Sequence, residues 1–303
     1  MEFESYEERV LPSLSNLAQR AFPLNEISTR TLRRCTLEDP NFLPNDLIVA
    51  RSGREIRGAV LGARFRKYPA DKLSNQAGYL KMICTVPFDE SLMHSLLEKM
   101  EERLKAEGSN KIACFNFGSW YMFPGVNLRY EDLLDFLSAA GFKKTGECVD
   151  YVLDMSAYKI PKRVTRLEER LIDNGMVFTL VNPTDRERFR DWVLEKFGSG
   201  WSYEAERAIG RAGAGVWVAE DETGTIAFSV FGSLENHWFG PIGVAEEKRK
   251  MGLGSVMLFK ALESLKNLGI PKVIIPWTGH LFFYSQIPGV VGLRHYWMMT
   301  KDL

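Results

Sequence analysis

The chain has 303 residues, of which 45% are hydrophobic and 26% charged, a balance typical of globular proteins and not of disordered or fibrous ones. Lys and Arg together number 39, as do Asp and Glu, so no global field favours nucleic acid or an anionic membrane as a partner. The length is sufficient for two domains, each with its own core.

The amino-terminal residues and the cysteines predict a cytoplasmic protein. The start, MEFESYEERV, is acidic, the reverse of a secretory leader, and no apolar run approaches the roughly 20 residues that span a bilayer. The cysteines contain no C-x-x-C pair, which predicts reduced, buried thiols and neither a disulfide framework nor a metal site. All four lie in the first half of the chain, at Cys35, Cys84, Cys114 and Cys148.

The first half begins with an amphipathic helix predicted over residues 6–21. Strands are predicted at residues 47–50 and 56–65, joined by a hairpin turn at 52–55. A long helix, a glycine and a further apolar strand follow in residues 96–119. This order of elements is typical of an α/β unit.

The same order occurs a second time. Residues 257–280 repeat the pattern of residues 96–119, and the glycines that end the two helices, Gly108 and Gly269, lie 161 positions apart. Because a repeat of this kind defines the architecture, we expect one α/β unit used twice. The elements that precede the repeat also recur, as a helix and two strands predicted at residues 185–197, 216–220 and 225–231.

A structured connector is predicted between the halves. Pro161 suits the first turn of a helix, and Asn174 with Gly175 suits its end. We therefore expect a first domain at residues 1–157, a helical connector at 158–175 and a second domain at 176–303.

The strongest functional signal lies between a strand that ends near Val244 and the long helix that follows it. Arg249, Gly252 and Gly254 stand directly before that helix in the pattern R-x-x-G-x-G. The glycines let the backbone approach a ligand, and the start of the helix presents unpaired N–H groups and a partial positive charge. These features predict a site for a pyrophosphate.

The spacing V-x(4)-R-x-x-G-x-G resembles the acyl-CoA signature of the GNAT superfamily of N-acyltransferases. The glycines are not followed by G-K-[ST], and there is no G-x-G-x-x-G, which argues against nucleotide triphosphates and dinucleotides. The resemblance implies an α/β (α+β) fold of two tandem GNAT-like domains, each a mixed, mostly antiparallel sheet flanked by helices. In the first half the corresponding positions are Phe88, Ser91 and Met93, so we expect a degenerate domain without the coenzyme motif.

The same resemblance implies which residues bind acetyl-CoA, the co-substrate. The amides of residues 250–255 would hold the pyrophosphate, an arginine would add charge, and the end of the preceding strand would meet the pantetheine arm through its main chain. No metal is implied. The residues implied to contact the coenzyme are Ile242, Gly243, Val244, Arg249, Lys250, Met251, Gly252, Leu253, Gly254 and Ser255.

Tyr284 is the predicted general acid. In the run FYSQIPG it resembles the tyrosine that lies beside the CoA sulfur in GNAT enzymes, with one additional residue before the glycine. A phenol with a reference pKa of about 10 stays protonated at neutral pH and can donate to the departing thiolate. The alternative is a buried tyrosine that packs on the sheet.

The general base is less well defined by the sequence. On the strand where many GNAT enzymes carry a base, the matching inward positions are Trp238 and Gly240, which are not basic, and strand alternation turns the adjacent His237 to the other face. His280, beyond the next strand, is the preferred candidate, with a helix cap or a surface imidazole as the alternative. Glu235 is expected to be solvated.

The resemblance also implies acceptor contacts in residues 195–209, which we expect to form a loop. Trp201 would form an aromatic wall, and Glu204 would pair with a cationic amine or accept from a hydroxyl. The alternatives are that Trp201 anchors the loop to the core and that Glu204 lies on a solvated helix face.

These features predict an acetyl-CoA-dependent N-acetyltransferase that acts on a small-molecule primary amine by direct attack on the thioester. An amino sugar or an amino-acid derivative is the expected acceptor, by analogy, and no nucleic acid or membrane is expected as a partner. A non-catalytic CoA-binding or interaction protein is an alternative, because Trp238 is not a base. Aminoacyl transfer from charged tRNA is disfavoured by the neutral charge and the retained motif.

Overall fold

The computed structural model describes residues 2–67 and 76–303. The chain forms two compact units: the first comprises Met1–Cys148 together with His295–Leu303, and the second comprises Val149–Arg294. The strand that contains residues 148 and 149 and the final strand of the chain therefore each contribute to both units. The boundaries predicted from the sequence, at residues 157 and 175, do not include this exchange.

The first unit has the element order β-α-α-β-β-β-α-β-β-α. Its elements are β1 (Glu2–Ser5), α1 (Leu11–Ala21), α2 (Thr29–Cys35), β2 (Leu47–Ser52), β3 (Glu55–Arg64), β4 (Ala77–Thr85), α3 (Glu90–Ala106), β5 (Lys111–Cys114), β6 (Val126–Asn127) and α4 (Glu131–Ala139), followed by the first part of β7 (Lys143–Asp154).

Pairing in the first unit is mostly antiparallel. Strands β1 to β4 pair antiparallel in chain order, β5 runs parallel to β4, and the end of the final strand lies antiparallel to β5. The hairpin predicted between residues 47–50 and 56–65 is confirmed as β2 and β3, with Gly53 in the left-handed conformation (φ 60°). The first predicted helix begins later than expected, at Leu11, after a short 3-10 turn at Glu8–Val10.

From β8 onwards, the second unit repeats this order without a counterpart of β6. Its elements are the remainder of β7, then α5 (Lys162–Asp173), β8 (Val177–Leu180), α6 (Arg186–Phe197), α7 (Ser199–Ala208), β9 (Gly215–Asp221), β10 (Gly224–Phe231), β11 (Phe239–Val244), α8 (Leu253–Asn267), β12 (Lys272–Thr278), α9 (Leu281–Tyr284) and the start of β13 (Val290–Asp302).

The sheet of the second unit lies between two layers of helices. Strands β8 to β11 form an antiparallel sheet in chain order, and β12 pairs antiparallel with β7. One core cluster joins this sheet to α5, α8 and α9, and another joins it to α6 and α7. Strand alternation produces the two cores, since Val216 and Val218 face one helix layer while Ala219 and Ala227 face the other. The predicted mixed sheet flanked by helices is confirmed.

Helix α5, the predicted connector, packs within the second unit. It begins after Pro161 and ends at Asn174, before Gly175 (φ 85°), as the sequence predicts. Val164 and Leu171 enter the core beside α8, and a salt bridge of 2.5 Å joins Glu168 on α5 to Lys260 on α8. The connector therefore supports the helix that follows the glycine motif.

All four cysteines are buried and free, as expected. Burial raises the pKa of Cys84 to about 12, so this thiol stays protonated and unreactive at neutral pH. Among the described residues, no helix is long and apolar enough to cross a membrane.

Candidate functional site

The opening of α8 presents a row of main-chain donors. In the described structure, none of the amide N–H groups of residues 250–254 donates a hydrogen bond. Ser255 differs from this group, because its N–H bonds to the Gly252 carbonyl at 3.0 Å. Five consecutive free donors at the positive end of a 15-residue helix have the arrangement that can stabilise a bound anion.

The backbone of this loop is held in a conformation that L-residues rarely adopt. Lys250 has φ 69° and Gly252 has φ 87°. A side chain at Gly252 would also meet a terminal methyl of Leu167 on α5 at 2.6 Å, a contact that this flexible side chain can relieve, so the positive φ is the main reason that the position requires glycine. A left-handed lysine costs on the order of 1–3 kcal/mol, and such strain clusters at ligand-binding sites.

Gly254 imposes a weaker requirement. A Cβ there would meet the Phe283 ring at 3.5 Å and Val244 at 3.8 Å, which are ordinary contacts. Packing therefore permits an alanine at this position.

Charges fix the turn that leads into the loop. Lys248 forms a salt bridge of 2.6 Å with Asp221, at the turn between β9 and β10. Hydrogen bonds from Lys248 and Thr223 lower the pKa of Asp221 to about 2. Arg249 is exposed, and its Nε lies 3.4 Å from the Val244 carbonyl oxygen, so its guanidinium is available beside the free amides.

Strand β11, which leads into this loop, supplies further main-chain N–H groups. Ala245 N–H donates to the Ile226 carbonyl of β10 at 2.8 Å, and Gly243 is paired with Phe228. Since bonded and non-bonded pairs alternate in an antiparallel ladder, Gly243 bonds towards β10, whereas the N–H groups of Ile242 and Val244 point away from it.

The side of β11 that faces away from β10 lies open because β11 and β12 diverge. A parallel bridge joins Trp238 to Ile274, with Ile274 N–H donating to the His237 carbonyl at 3.0 Å. Beyond this bridge, within the described residues, β11 pairs with β10 and β12 pairs with β7. The pairing of β10 with β11 also shifts register opposite Gly240 and Pro241, as at a β-bulge.

Tyr284 lies where the two strands separate. Its ring contacts Phe239 at the start of β11, with centroids 6.3 Å apart, and its hydroxyl forms a hydrogen bond with Thr278 at the end of β12. Burial raises the pKa of Tyr284 to about 12, against the opposing effect of the Thr278 bond. The phenol therefore keeps its proton at neutral pH.

The end of β12 has an irregular backbone. Its register with β7 shifts between Ile275 and Thr278, and Trp277 is left-handed (φ 50°). Asp150 of β7, which is buried, accepts the Trp277 N–H at 3.0 Å. Next to it on β7, the Tyr151 hydroxyl donates to the Leu281 carbonyl of α9 at 2.6 Å.

His280 lies on the exposed segment between β12 and α9. Its amide donates to Thr278 Oγ1 at 3.1 Å, and its side chain does not cap the helix. The imidazole is thus placed two residues beyond the end of β12, close in sequence to Tyr284 and exposed to solvent.

The predicted acceptor loop is wrong in its secondary structure. Apart from Gly198, the segment after α6 is a helix, α7, whose buried face consists of Ser202, Ala205 and Ala208. Trp201 stacks on Phe197, with centroids 5.7 Å apart, and is 40% exposed.

Glu204 lies half-buried on this helix. Its carbonyl accepts from Ser233 Oγ at 2.5 Å, which joins α7 to the loop between β10 and β11. The described structure thus places the two predicted acceptor residues, Trp201 and Glu204, on a helix tied to the start of β11.

Glu235, expected to be solvated, is buried, with only 8% of its surface exposed. It lies in the loop between β10 and β11, and its carbonyl accepts the Trp238 N–H at 3.0 Å. Burial of a carboxylate is costly unless other groups stabilise it. Sequence reasoning missed this residue because a polar turn gives no local sign that other elements cover it.

A family model and several solved structures are similar to the chain. The model of the Acetyltransferase (GNAT) family matches residues 184–280, which run from the start of α6 to His280. No curated protein matches the chain.

The solved structures share the fold over almost the whole chain. A GCN5-related glucosamine N-acetyltransferase region of a fungal multi-domain GH3 beta-N-acetylglucosaminidase has a TM-score of 0.75 at 19% identity, and the match covers 99% of this chain but 38% of that one. A tandem GNAT protein from the clavulanic acid biosynthesis pathway has a TM-score of 0.68 at 13% identity, covering 99% and 98%. A GCN5-related N-acetyltransferase from Sphaerobacter thermophilus has 0.66 at 11%, covering 99% and 95%.

Proposed function

We propose that this chain, which belongs to the GNAT superfamily as a tandem-domain protein, transfers the acetyl group of acetyl-CoA to a small-molecule primary amine, with its working site in the second unit. The family match and the fold support an acyltransferase, and the family generally uses acyl-CoA. The observation that carries the proposal is the row of free amides at residues 250–254, continued by outward N–H groups on β11.

The residues present fit such a coenzyme. Five free N–H donors suit the pyrophosphate, and Arg249 beside them suits its charge. Ile242 and Val244 offer amides along the diverging strands, where a pantetheine arm would extend the ladder that β12 leaves incomplete.

The bound thioester supplies an acyl carbon that an amine can attack directly. The new C–N bond forms as the C–S bond breaks, and the departing thiolate takes the proton that Tyr284 holds. The outward amides of β11 are placed to stabilise negative charge on the carbonyl oxygen. The attacking nitrogen must shed one proton, and His280, exposed near Tyr284 in the sequence, is the proposed acceptor of it.

The acceptor would bind beside α7 and the loop that leads into β11. Glu204 and Glu235 lie on these two elements, which the Ser233 hydrogen bond joins, and carboxylates favour a cationic or polyhydroxylated amine. Trp201, partly exposed, offers an aromatic face. An amino sugar fits this set, and the fungal glucosamine N-acetyltransferase region with the same fold supports that class.

The test is release of free thiol from acetyl-CoA across a panel of amines that includes glucosamine, amino acids and polyamines. We expect turnover with an amino sugar, and a fall in kcat of about 10- to 100-fold for Tyr284→Phe. Tyr158→Phe is the control, because it removes another buried tyrosine hydroxyl, bonded to the Phe259 carbonyl. Acetyl-CoA binding without turnover on any amine would favour the non-catalytic binding protein, and an unaltered Tyr284→Phe rate would remove the acid role.

A further inference from the structure

Two neighbouring side chains of β7 hold the segment on which Tyr284 and His280 lie. We propose that Asp150 and Tyr151 are positioning residues for the acyl-transfer reaction, fixing residues 277–284 so that the Tyr284 hydroxyl stays between the diverging strands. The inference rests on the proposed function, and it adds two residues that lie outside the segment matched by the family model.

Asp150 fixes the end of β12. Its carboxylate is buried and accepts the N–H of Trp277 at 3.0 Å, at the point where the pairing of β12 with β7 shifts register. Trp277 is left-handed there, a conformation that persists only where surrounding groups enforce it. The next residue, Thr278, is therefore placed by the hydrogen bond that Trp277 donates to the neighbouring strand.

Thr278 passes this placement on to the catalytic side chain. Its hydroxyl accepts the His280 N–H at 3.1 Å and forms a hydrogen bond with the Tyr284 hydroxyl. The side chains of His280 and Tyr284 are both proposed to move protons in the reaction. A shift of Thr278 would therefore displace both.

Tyr151 fixes the other end of the segment. Its hydroxyl donates to the Leu281 carbonyl at 2.6 Å, and its ring lies against the Tyr284 ring, with centroids 5.8 Å apart. Leu281 begins α9, and Tyr284 ends it. A helix of four residues has few hydrogen bonds of its own, so this contact supplies much of its anchoring.

Asp150 and Tyr151 come from the part of the sequence that precedes the predicted connector. In chain order β7 closes the first half, yet residues 149–154 pair with β12 in the second unit. The working site thus depends on a strand that the sequence assigns to the degenerate domain. A fragment that begins at residue 176 would lack both positioning residues.

Hydrogen exchange tests the anchoring without an acceptor. In the ligand-free full chain, Tyr151→Phe should speed exchange of the amides of Phe283, Ser285 and Ile287 by about tenfold, since these amides close the turns of α9 and the turn that directly follows it. Tyr158→Phe loses the same kind of bond, to Phe259 of α8, and should leave these amides unchanged. Equal exchange in wild type and Tyr151→Phe would overturn the inference.

A double-mutant cycle tests the link to catalysis. With the amine that turns over fastest in the panel, Tyr151→Phe should lower kcat by about tenfold and leave acetyl-CoA affinity within about twofold, and adding it to Tyr284→Phe should lower kcat no further. If Tyr284→Phe slows the reaction but Tyr151→Phe does not, the positioning role fails while the proposed function stands. If Tyr284→Phe has no effect, the acid role fails, and hydrogen exchange alone decides whether β7 anchors the segment.

Asp150 has its own conservative variant. Asp150→Asn keeps an oxygen that can accept the Trp277 N–H and should retain kcat within about threefold, whereas Asp150→Leu lacks the acceptor and should lower kcat by about tenfold or more. Equal rates for the two variants, in folded protein, would show that the hydrogen bond to Trp277 has no part in positioning.

Discussion

The long helices α3 and α8 occupy equivalent positions in the two units, but their amino ends are capped differently. In the first, α3 begins after Asp89, whose carboxylate accepts the Leu92 N–H at 3.0 Å and whose own N–H bonds to Thr85 Oγ1 at 2.8 Å. In the second, α8 begins after Gly252 with no side-chain cap and five free amides. A carboxylate of the protein thus occupies in α3 the place that a ligand anion would take in α8.

The two units also differ in the groups that lie where the strands beside these helices stop pairing. In the first unit β4 and β5 pair as far as Leu80 and Cys114. Directly beyond, Lys81 is fully buried in an ion pair with Asp39, and its Nζ lies 4.7 Å from the centroid of the Phe117 ring. In the second unit, the place where β11 and β12 diverge contains main-chain N–H groups of β11 and the Tyr284 hydroxyl.

The comparison separates the requirements of the fold from those of the site. Both units keep the sheet, the long helix and the glycine that ends it, since Gly108 (φ 84°) and Gly269 (φ 75°) are both left-handed. Within the described residues, the row of unsatisfied donors is longer in the second unit, where residues 250–254 donate no hydrogen bond, whereas Asp89 satisfies the Leu92 amide at the start of α3. Unsatisfied polar groups oppose stability when they are buried, so the longer row in the second unit supports the ligand site proposed there.

The largest expected effect concerns the ion pair of the first unit. Lys81→Met leaves the buried Asp39 carboxylate without its cation and should lower the free energy of unfolding by about 3–5 kcal/mol. Urea denaturation measures the loss, and the double variant with Asp39→Asn should recover part of it. Acetyl-CoA affinity of the folded protein should not change, and a weakened affinity would contradict the separation of roles.

The second effect concerns α8 and uses two substitutions at one position. Gly254→Asp places a carboxylate beside the free amides and should weaken acetyl-CoA binding by about 100-fold or more, measured by calorimetric titration. Gly254→Ala should bind nearly as wild type, because its Cβ makes ordinary contacts. Equal affinities for Asp and Ala would exclude a pyrophosphate at this site.

A smaller effect is expected at the capped helix. Asp89→Ala removes the cap of α3 and should cost about 1 kcal/mol of stability, with no change in coenzyme affinity. The measurement is the urea midpoint beside that of wild type. No loss of stability would mean that the carboxylate at the start of α3 is not structural.

The smallest effect depends on pH. Because Lys248 and Thr223 hold the pKa of Asp221 at about 2, below its unfolded value of about 3.9, the stabilisation is complete above about pH 4 and is lost as the pH falls towards 2. Asp221→Asn should therefore unfold at a lower temperature than wild type at pH 7, and the difference should vanish near pH 2. A difference that persists at pH 2 would contradict the ionic origin.

The sequence predicted the elements where local patterns decide them. The glycine stops, the hairpins and the opening of α8 follow from turn chemistry and periodicity. Helix α7 was missed because glycines punctuate its ends, and its buried face of Ser202, Ala205 and Ala208 gives almost no hydrophobic signal. Tertiary packing, and not local preference, makes it a helix.

Other parts of the site depend on partners that no local pattern identifies. The alternation of β7 predicts a strand but not that it pairs with β12, since a pleated strand accepts many neighbours. The burial of Glu235 and the left-handed Lys250 likewise depend on surrounding elements. The sequence could therefore locate the loop proposed to bind the coenzyme but not the residues proposed to position the reaction.

The most direct measurement is a crystal structure of the chain with CoA bound. The account predicts one CoA per chain, in the second unit, with its phosphate oxygens within hydrogen-bonding distance of the N–H groups of residues 250–254. Coenzyme bound at α3 of the first unit, or phosphates held only by side chains away from α8, would contradict it.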